Sequence, residues 1–321
     1  MTKLSLPPTV GGARILGVGD YRPSRVLTND EISTMVETSD SWIRERTGIA
    51  RRRIAAPDES VADMATAAAG KALAAAGLQA ADIDLILVAT CSVMERMPAV
   101  APTVAHRLGT SSPGAIDLNA ACAGFSYAIS QAADAIRAGS ARNVLAIGAE
   151  KLSDFVDWSD RGTCILFADG AGAAVVGPAE NPQIGPVVWG SEGARGQLIT
   201  IDTESNFLKM DGQAVFRWAT TALAPVAREA CARAGIAPAE LRVLVPHQAN
   251  LRIIDALVRS LKLTDVVVAR DVVESGNTSA ASIPLGLTAL VESGEVRSGD
   301  PALLLGFGAG LTYAAQVVLC P

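Results

Sequence analysis

Histidine is nearly missing from this chain of 321 residues: there are two, His106 and His247. That is too few for a His-rich metal centre, and no metal is expected. The five cysteines, at positions 91, 122, 164, 231 and 320, are odd in number and form no Cys-x-x-Cys pair. That argues against a disulfide framework or a zinc site. No apolar run approaches the roughly 20 residues of a membrane-spanning helix. The N-terminus lacks the basic-then-apolar layout of a secretory signal. A soluble, cytoplasmic protein with no membrane contact is the expectation. Aromatics make up only 4% of residues while 50% are hydrophobic, so the core has to be built from Ala, Val, Leu and Ile. Positive charge is not in excess either. With 27 Lys and Arg against 33 Asp and Glu, the net charge is −6, which gives no support to nucleic-acid binding. One basic knot remains, Arg44, Arg46, Arg51, Arg52 and Arg53. It reads equally as a solvated face or as the seat of a phosphate-bearing ligand or acidic partner.

No Pro- or Ser-rich linker divides the chain, whose length suggests two domains or one large α/β unit. Its two halves echo each other. A helix opens at Ser60 with Asp63 three residues on, a capping-box start, and runs to Gly77 before an apolar strand at 85–90. A second helix, from about Ala214, runs to Gly235, 158 residues beyond Gly77, and is followed by the strand 243–245. Strand 115–118, leading to Cys122 and a helix, matches strand 266–269, leading to Asn277 and a helix from about Ser279. Strand 143–148 matches 302–308. Near-continuous apolar strands alternating with helices imply buried sheets in a pseudo-two-fold arrangement. Asp169-Gly170 reads as a turn signal, adding a hairpin at the end of the first half.

Sites in such sheets lie beyond the strand ends, where Thr90, Cys91, Cys122, Glu150, His247, Asn277, Gly308 and Ala309 fall. Cys122 is placed at the first turn of a helix, where free N–H groups and the dipole favour a thiolate. A free cysteine is also among the most commonly buried residues. His247 stands where a strand gives way to a helix, after Pro246. Asn277, taken by itself, reads as a helix cap.

Three stretches belong together: Ala-Cys-Ala-Gly-Phe (121–125), Pro-His-Gln-Ala-Asn (246–250) and Gly-Asn-Thr-Ser-Ala-Ala-Ser (276–282). With Thr-Ser-Asp-Ser-Trp-Ile-Arg-Glu-Arg-Thr-Gly-Ile (38–49), Asp-Arg-Gly (160–162) and Gly-Phe-Gly-Ala-Gly (306–310), the sequence resembles the β-ketoacyl-acyl-carrier-protein synthase III family of the thiolase superfamily from about Ala13 onward. The resemblance implies a thiolase-like α/β fold, a duplicated α-β-α-β-α layering with a mixed five-stranded sheet in each of two pseudo-symmetric halves, 1–178 and 179–321. It implies decarboxylative condensation of a short acyl-CoA primer with malonyl-acyl-carrier protein, in fatty-acid or polyketide biosynthesis, by a homodimer that needs no cofactor. Cys122 would carry the acyl group. His247 and Asn277 would donate hydrogen bonds to the thioester oxygen, and the backbone N–H of Ala309, in place of a common glycine, would help hold the acyl oxygen. Phe307 would keep the site apolar. Trp42 would stack on the CoA adenine, with Thr38, Arg46 and Arg161 near the nucleotide and Asn250 along the pantetheine arm. Arg217, Arg252 and Arg259 would meet the acidic carrier protein. Met97, where the family often has Phe or Thr, would shape the acyl pocket across the dimer interface. There and in Met94-Glu95-Arg96 and the short 205–210 stretch the chain departs from the pattern, leaving primer choice open.

Rival readings exist. A related acyltransferase would pass the acyl group to another acceptor. A thiolase would need a second cysteine where Phe307 stands. A cysteine hydrolase would use the same Cys, His and Asn order with His as a base oriented by Asn, and a non-catalytic acyl-binding protein would need none of the three.

Overall fold

A computed structural model describes residues 11–95 and 97–321. Strand β1 (Gly12–Tyr21) precedes a small antiparallel pair, β2 (Arg25–Thr28) and β3 (Arg51–Ile54), with helices α1 (Asn29–Ser33) and α2 (Asp40–Thr47) between them. Helix α3 (Val61–Ala76), β4 (Leu85–Ala89), α4 (Val100–Leu108), β5 (Gly114–Leu118), α5 (Gly124–Arg137), β6 (Val144–Lys151) and β7 (Asp169–Ala179) complete the first half. The second half opens with β8 (Val188–Gly190) and the hairpin β9 (Ile199–Ile201) and β10 (Leu208–Met210). It continues through α6 (Gly212–Arg233), β11 (Val243–Pro246), α7 (Leu251–Leu261), β12 (Val267–Val268) and α8 (Val272–Ser275). Helix α9 (Ser282–Glu292), β13 (Pro301–Gly308) and β14 (Thr312–Leu319) end it.

Each half builds a mixed five-stranded sheet, in the orders β1-β7-β6-β4-β5 and β12-β11-β13-β14-β8. Strand β4 runs parallel to β5 and β6, and β11 runs parallel to β12 and β13. Helices α3 and α4 bury Met64, Ala68 and Val104 on one face of the first sheet. Helices α6 and α7 bury Leu223, Ala227 and Leu257 on the second sheet. Phe125 and Ile129 of α5, with Ile283 and Leu287 of α9, fill the layer between the sheets. The layering is the expected α-β-α-β-α. Covering on both faces is why β6 and β13 are buried along nearly their whole length and read as continuous apolar runs. The alanine-rich composition has a packing reason as well. A side chain on Gly19 of β1 would come within 2.4 Å of the α3 backbone at Ala72, so helix and strand approach as closely as small residues allow.

The repeat is sharpest beside the site. Three-residue 3₁₀ turns, Ala121–Ala123 and Ser279–Ala281, precede α5 and α9. Their first residues are 158 apart and both left-handed, with φ of 45° at Ala121 and 49° at Ser279. Gly148 and Gly306, again 158 apart, make room for these turns crosswise: a Cβ on Gly148 would sit 2.2 Å from Ala280 O, and one on Gly306 2.8 Å from Ala123 Cα. Each sheet thus accepts the turn of the other half.

The Asp169-Gly170 turn is not there. Both residues lie inside β7, and Asp169 is buried, accepting the N–H groups of Ala55 and Ser153 and the Ser153 hydroxyl. Side-chain satisfaction won over turn propensity, and residues 152–168 make the connection from β6 to its antiparallel neighbour β7. Between the two sheets, Gln183 N–H donates to Ala13 O and Gln183 O accepts from Leu319 N–H, tying the connection to both halves.

Candidate active site

Cys122 occupies the middle of the 3₁₀ turn that leads into α5. Behind it β13 ends at Gly308, where a Cβ would lie 2.8 Å from both Cys122 Cβ and N and 3.1 Å from Sγ. Only a hydrogen fits there. Ala309 follows within a helical turn whose left-handed positions are Gly310 and Leu311. Alanine therefore stands at 309 without backbone strain, at the wall of the site. Burial pushes the Cys122 thiol up to about 12, against a hydrogen bond with Ser279 that acts the other way. The expectation of a thiolate is corrected here. A helix terminus is worth about 1 kcal/mol or less, under one pK unit, while full burial shifts a group by several.

His247 follows directly on β11 and is 2% exposed, and burial pushes its pKa down to about 3. Its ring is neutral. Nδ1 lies 2.7 Å from Ser282 Oγ, and the ring meets Phe307 edge-on with centroids 5.0 Å apart. Asn277 is held by its backbone, which donates to Leu166 O and accepts from Ala168 N–H. Its Oδ1 accepts from Ser279 N–H at 2.9 Å. Asn277 is not the cap of a helix: Thr278 stands at the N-terminal cap of the turn, and the Asn277 bond to Ser279 N–H spans two residues just ahead of it.

Cys122, His247, Asn277, Phe307 and Ala309 line one cavity of about 250 Å³. Its other walls are largely apolar and include Leu152, Phe167, Leu208 and Met210. The hairpin β9–β10, which the sequence did not suggest, supplies part of that wall. Cys91 also lines the cavity, its Sγ 3.3 Å from Glu150 Oε1, and burial followed by the Glu150 charge pushes this thiol well above its usual range. Glu150 is fully buried and accepts from Thr90, Ser92 and Ser279 hydroxyls, bracing both halves beneath the cavity. A larger groove of about 660 Å³ beside Arg137, Trp189 and Arg233 holds none of these groups.

The basic knot divides. Arg52 is wholly buried, donating to Ile165 O and Asn29 Oδ1, and its stem lies against the left-handed Gly276 next to Asn277. It is a strut under the site, neither a solvated face nor a ligand seat. Arg44 pairs with Asp40 and Arg51 with Glu274. Arg46 alone joins Trp42 and Arg161: its guanidinium lies 4.5 Å from the Trp42 ring centroid and that of Arg161 5.0 Å. Asn250 caps α7 and donates to Arg46 O, while Arg161 donates to Glu37 O beside Thr38, whose buried hydroxyl has no partner among the described residues. Ala249, next to Asn250, lines the cavity, so this cluster adjoins its mouth. Arg217, Arg252 and Arg259 are all exposed, and Arg252 lies over Phe216, next to Arg217. Met97 stands apart. It is 86% exposed and does not line the cavity of its own chain, and Arg96 lies outside the described residues.

The sequence profile of 3-oxoacyl-[acyl-carrier-protein] synthase III matches residues 116–193, and that of its C-terminal part residues 231–320. The chain is 55% identical over 313 residues to β-ketoacyl-[acyl-carrier-protein] synthase III 4 of Streptomyces coelicolor, covering 97% of this chain and 99% of that one. It belongs to the synthase III family. The crystal structure of the priming β-ketosynthase from the R1128 polyketide biosynthetic pathway superposes with a TM-score of 0.96 at 46% identity, covering 100% of this chain and 99% of that one. The synthase III of Aquifex aeolicus gives 0.92 at 42%, covering 96% and 100%. This synthase III is a condensing enzyme that begins fatty-acid or polyketide chains. Among its described residues no helix is long and apolar enough to cross a membrane.

Proposed function

We propose that Cys122, His247 and Asn277 carry out the condensation as an acyl transfer through an S-acyl-Cys122 intermediate. The observation that carries this reading is that His247 Nδ1 lies 2.7 Å from Ser282 Oγ and Asn277 Oδ1 accepts from Ser279 N–H, so that Nε2 and the amide NH₂ are the atoms left to the Cys122 cavity both residues line. Two donors suit an enolate, which needs its negative oxygen held and no proton removed. A cysteine hydrolase needs the opposite: an imidazole basic enough to take the thiol proton, oriented by Asn. Here His247 is a poor base and Asn277 turns to Ser279.

In the first half-reaction Cys122 sulfur attacks the thioester carbon of an acyl-CoA. The bond to CoA breaks, and the thiol proton ends on the departing CoA sulfur. In the second, the malonyl group on the carrier protein loses CO₂, and its electron pair becomes an enolate held by His247 Nε2–H and Asn277 NH₂. The enolate carbon attacks the acyl carbon, Cys122 leaves as the thiolate and takes up a proton from solvent, and a 3-oxoacyl-carrier protein departs. Trp42, Arg46, Arg161, Thr38 and Asn250 receive CoA, while Arg217, Arg252 and Arg259 receive the carrier. The working unit is a cytoplasmic homodimer in which Met97 reaches the partner's acyl pocket. Its support is that β5 is a sheet edge with Ile116 49% exposed, near the exposed Met94 and Met97 loop.

A panel of acyl-CoA esters read by intact mass tests the proposal. One acyl adduct on Cys122, discharged by malonyl-carrier protein with release of a 3-oxoacyl product, is expected. Discharge to another acceptor without that product would favour simple acyl transfer. Asn277→Ala keeps the adduct and slows condensation by about 10²-fold or more.

A further inference from the structure

We propose that Ser282 is the positioning residue that fixes His247 as the Nε2–H tautomer, so that the ring can enter the cavity only as a donor. The proposal rests on the donor role given to His247 above and supplies what enforces it. A neutral imidazole carries one hydrogen, on either nitrogen, and burial keeps this ring neutral. The choice between the two nitrogens therefore decides whether His247 holds an enolate or repels it.

Ser282 is the first residue of α9 and is 1% exposed. Its Oγ has two polar neighbours, His247 Nδ1 at 2.7 Å and the Gln248 N–H at 3.2 Å. The Gln248 N–H can only donate, so it occupies the oxygen as an acceptor. Its direction is fixed, because the Gln248 side chain is fully buried and clamped: Nε2 donates to Pro246 O and Ala269 O, and Oε1 accepts from Val272 N–H. The hydroxyl keeps one hydrogen, and Nδ1 is the acceptor in reach. Were Nδ1 protonated, the oxygen would face two donors and its own hydrogen would be buried without an acceptor, a costly arrangement. The edge contact with Phe307 holds the ring plane meanwhile. Nε2 is then the nitrogen that bears hydrogen and is left for the cavity.

The test uses the whole chain labelled with ¹⁵N. With only His106 and His247 present, long-range proton–nitrogen spectra show two rings, and His106→Gln assigns them. The native enzyme is expected to show His247 with a protonated Nε2 and an unprotonated Nδ1. In Ser282→Ala the Nδ1–H form appears and kcat for condensation falls about tenfold, the worth of roughly one hydrogen bond, while Ser282→Thr restores both. A native spectrum with Nδ1 protonated overturns the proposal, whatever the variants do. So does Ser282→Ala with native tautomer and native kcat. The spectra need no turnover, so a native enzyme that fails to condense malonyl-carrier protein would sink the reading of its function and leave the tautomer to be judged separately.

Discussion

At the scale of single residues, burial holds Cys122 as a thiol. Its pKa of about 12 means that the thiolate fraction grows tenfold with each pH unit across the ordinary range, since the thiolate is the reactive form. Carbamidomethylation of Cys122, followed by peptide mass, should therefore accelerate about tenfold per unit between about pH 7 and pH 10 without levelling off. A plateau below about pH 9 would show that the helix end, not burial, governs this sulfur. Cys122, His247 and Asn277, which line one cavity, stand out in the sequence because each sits in a distinctive motif. What orients them does not. Ser282 meets His247 across 35 positions, and Arg52 lies under Asn277 from a stretch that reads only as basic. Such contacts follow from packing, and no local pattern announces them.

At the scale of elements, α3 shows where sequence reading succeeds. Ser60 and Asp63 form the capping box at its start, and Gly77 ends it in the left-handed conformation. The hairpin β9–β10 shows where it fails. Its strands have three residues each, too few for an alternation to stand out, and its loop is knit by Asp202 accepting from Glu204 and Ser205. The exposed face of α7 carries its own prediction. Reversing both charges, Arg252→Glu with Arg259→Glu, should raise KM for the malonyl-carrier protein about tenfold at low salt, and the difference should shrink as salt screens the attraction. Steady-state kinetics at two ionic strengths decide it. An unchanged KM would move carrier docking elsewhere.

At the scale of the whole molecule, the duplicated architecture was readable from helix ends and strand order, with Gly77 and Gly235 158 residues apart, while the exact pairing of the two turns at the same offset, Ala121 with Ser279, came from the structure and replaces the sequence match of Cys122 with Asn277. Association was not readable in that way, and it is tested at the open edge of the first sheet. Ile116→Arg places a charge on β5 where pairing with a second copy would bury it. Sedimentation should show a fall from twice the chain mass to the chain mass, with the circular dichroism of the native fold retained. A variant that still sediments as a dimer would assign the interface to another surface. The crosswise nesting of the two turns has a last consequence. Ala280 stands where Cys122 stands in the other copy of the motif, so duplication made two sockets and furnished only one with sulfur. Cys122 of one turn and Ser279 of the other line the same cavity, so the cavity is a property of the seam between the two copies and belongs to neither alone.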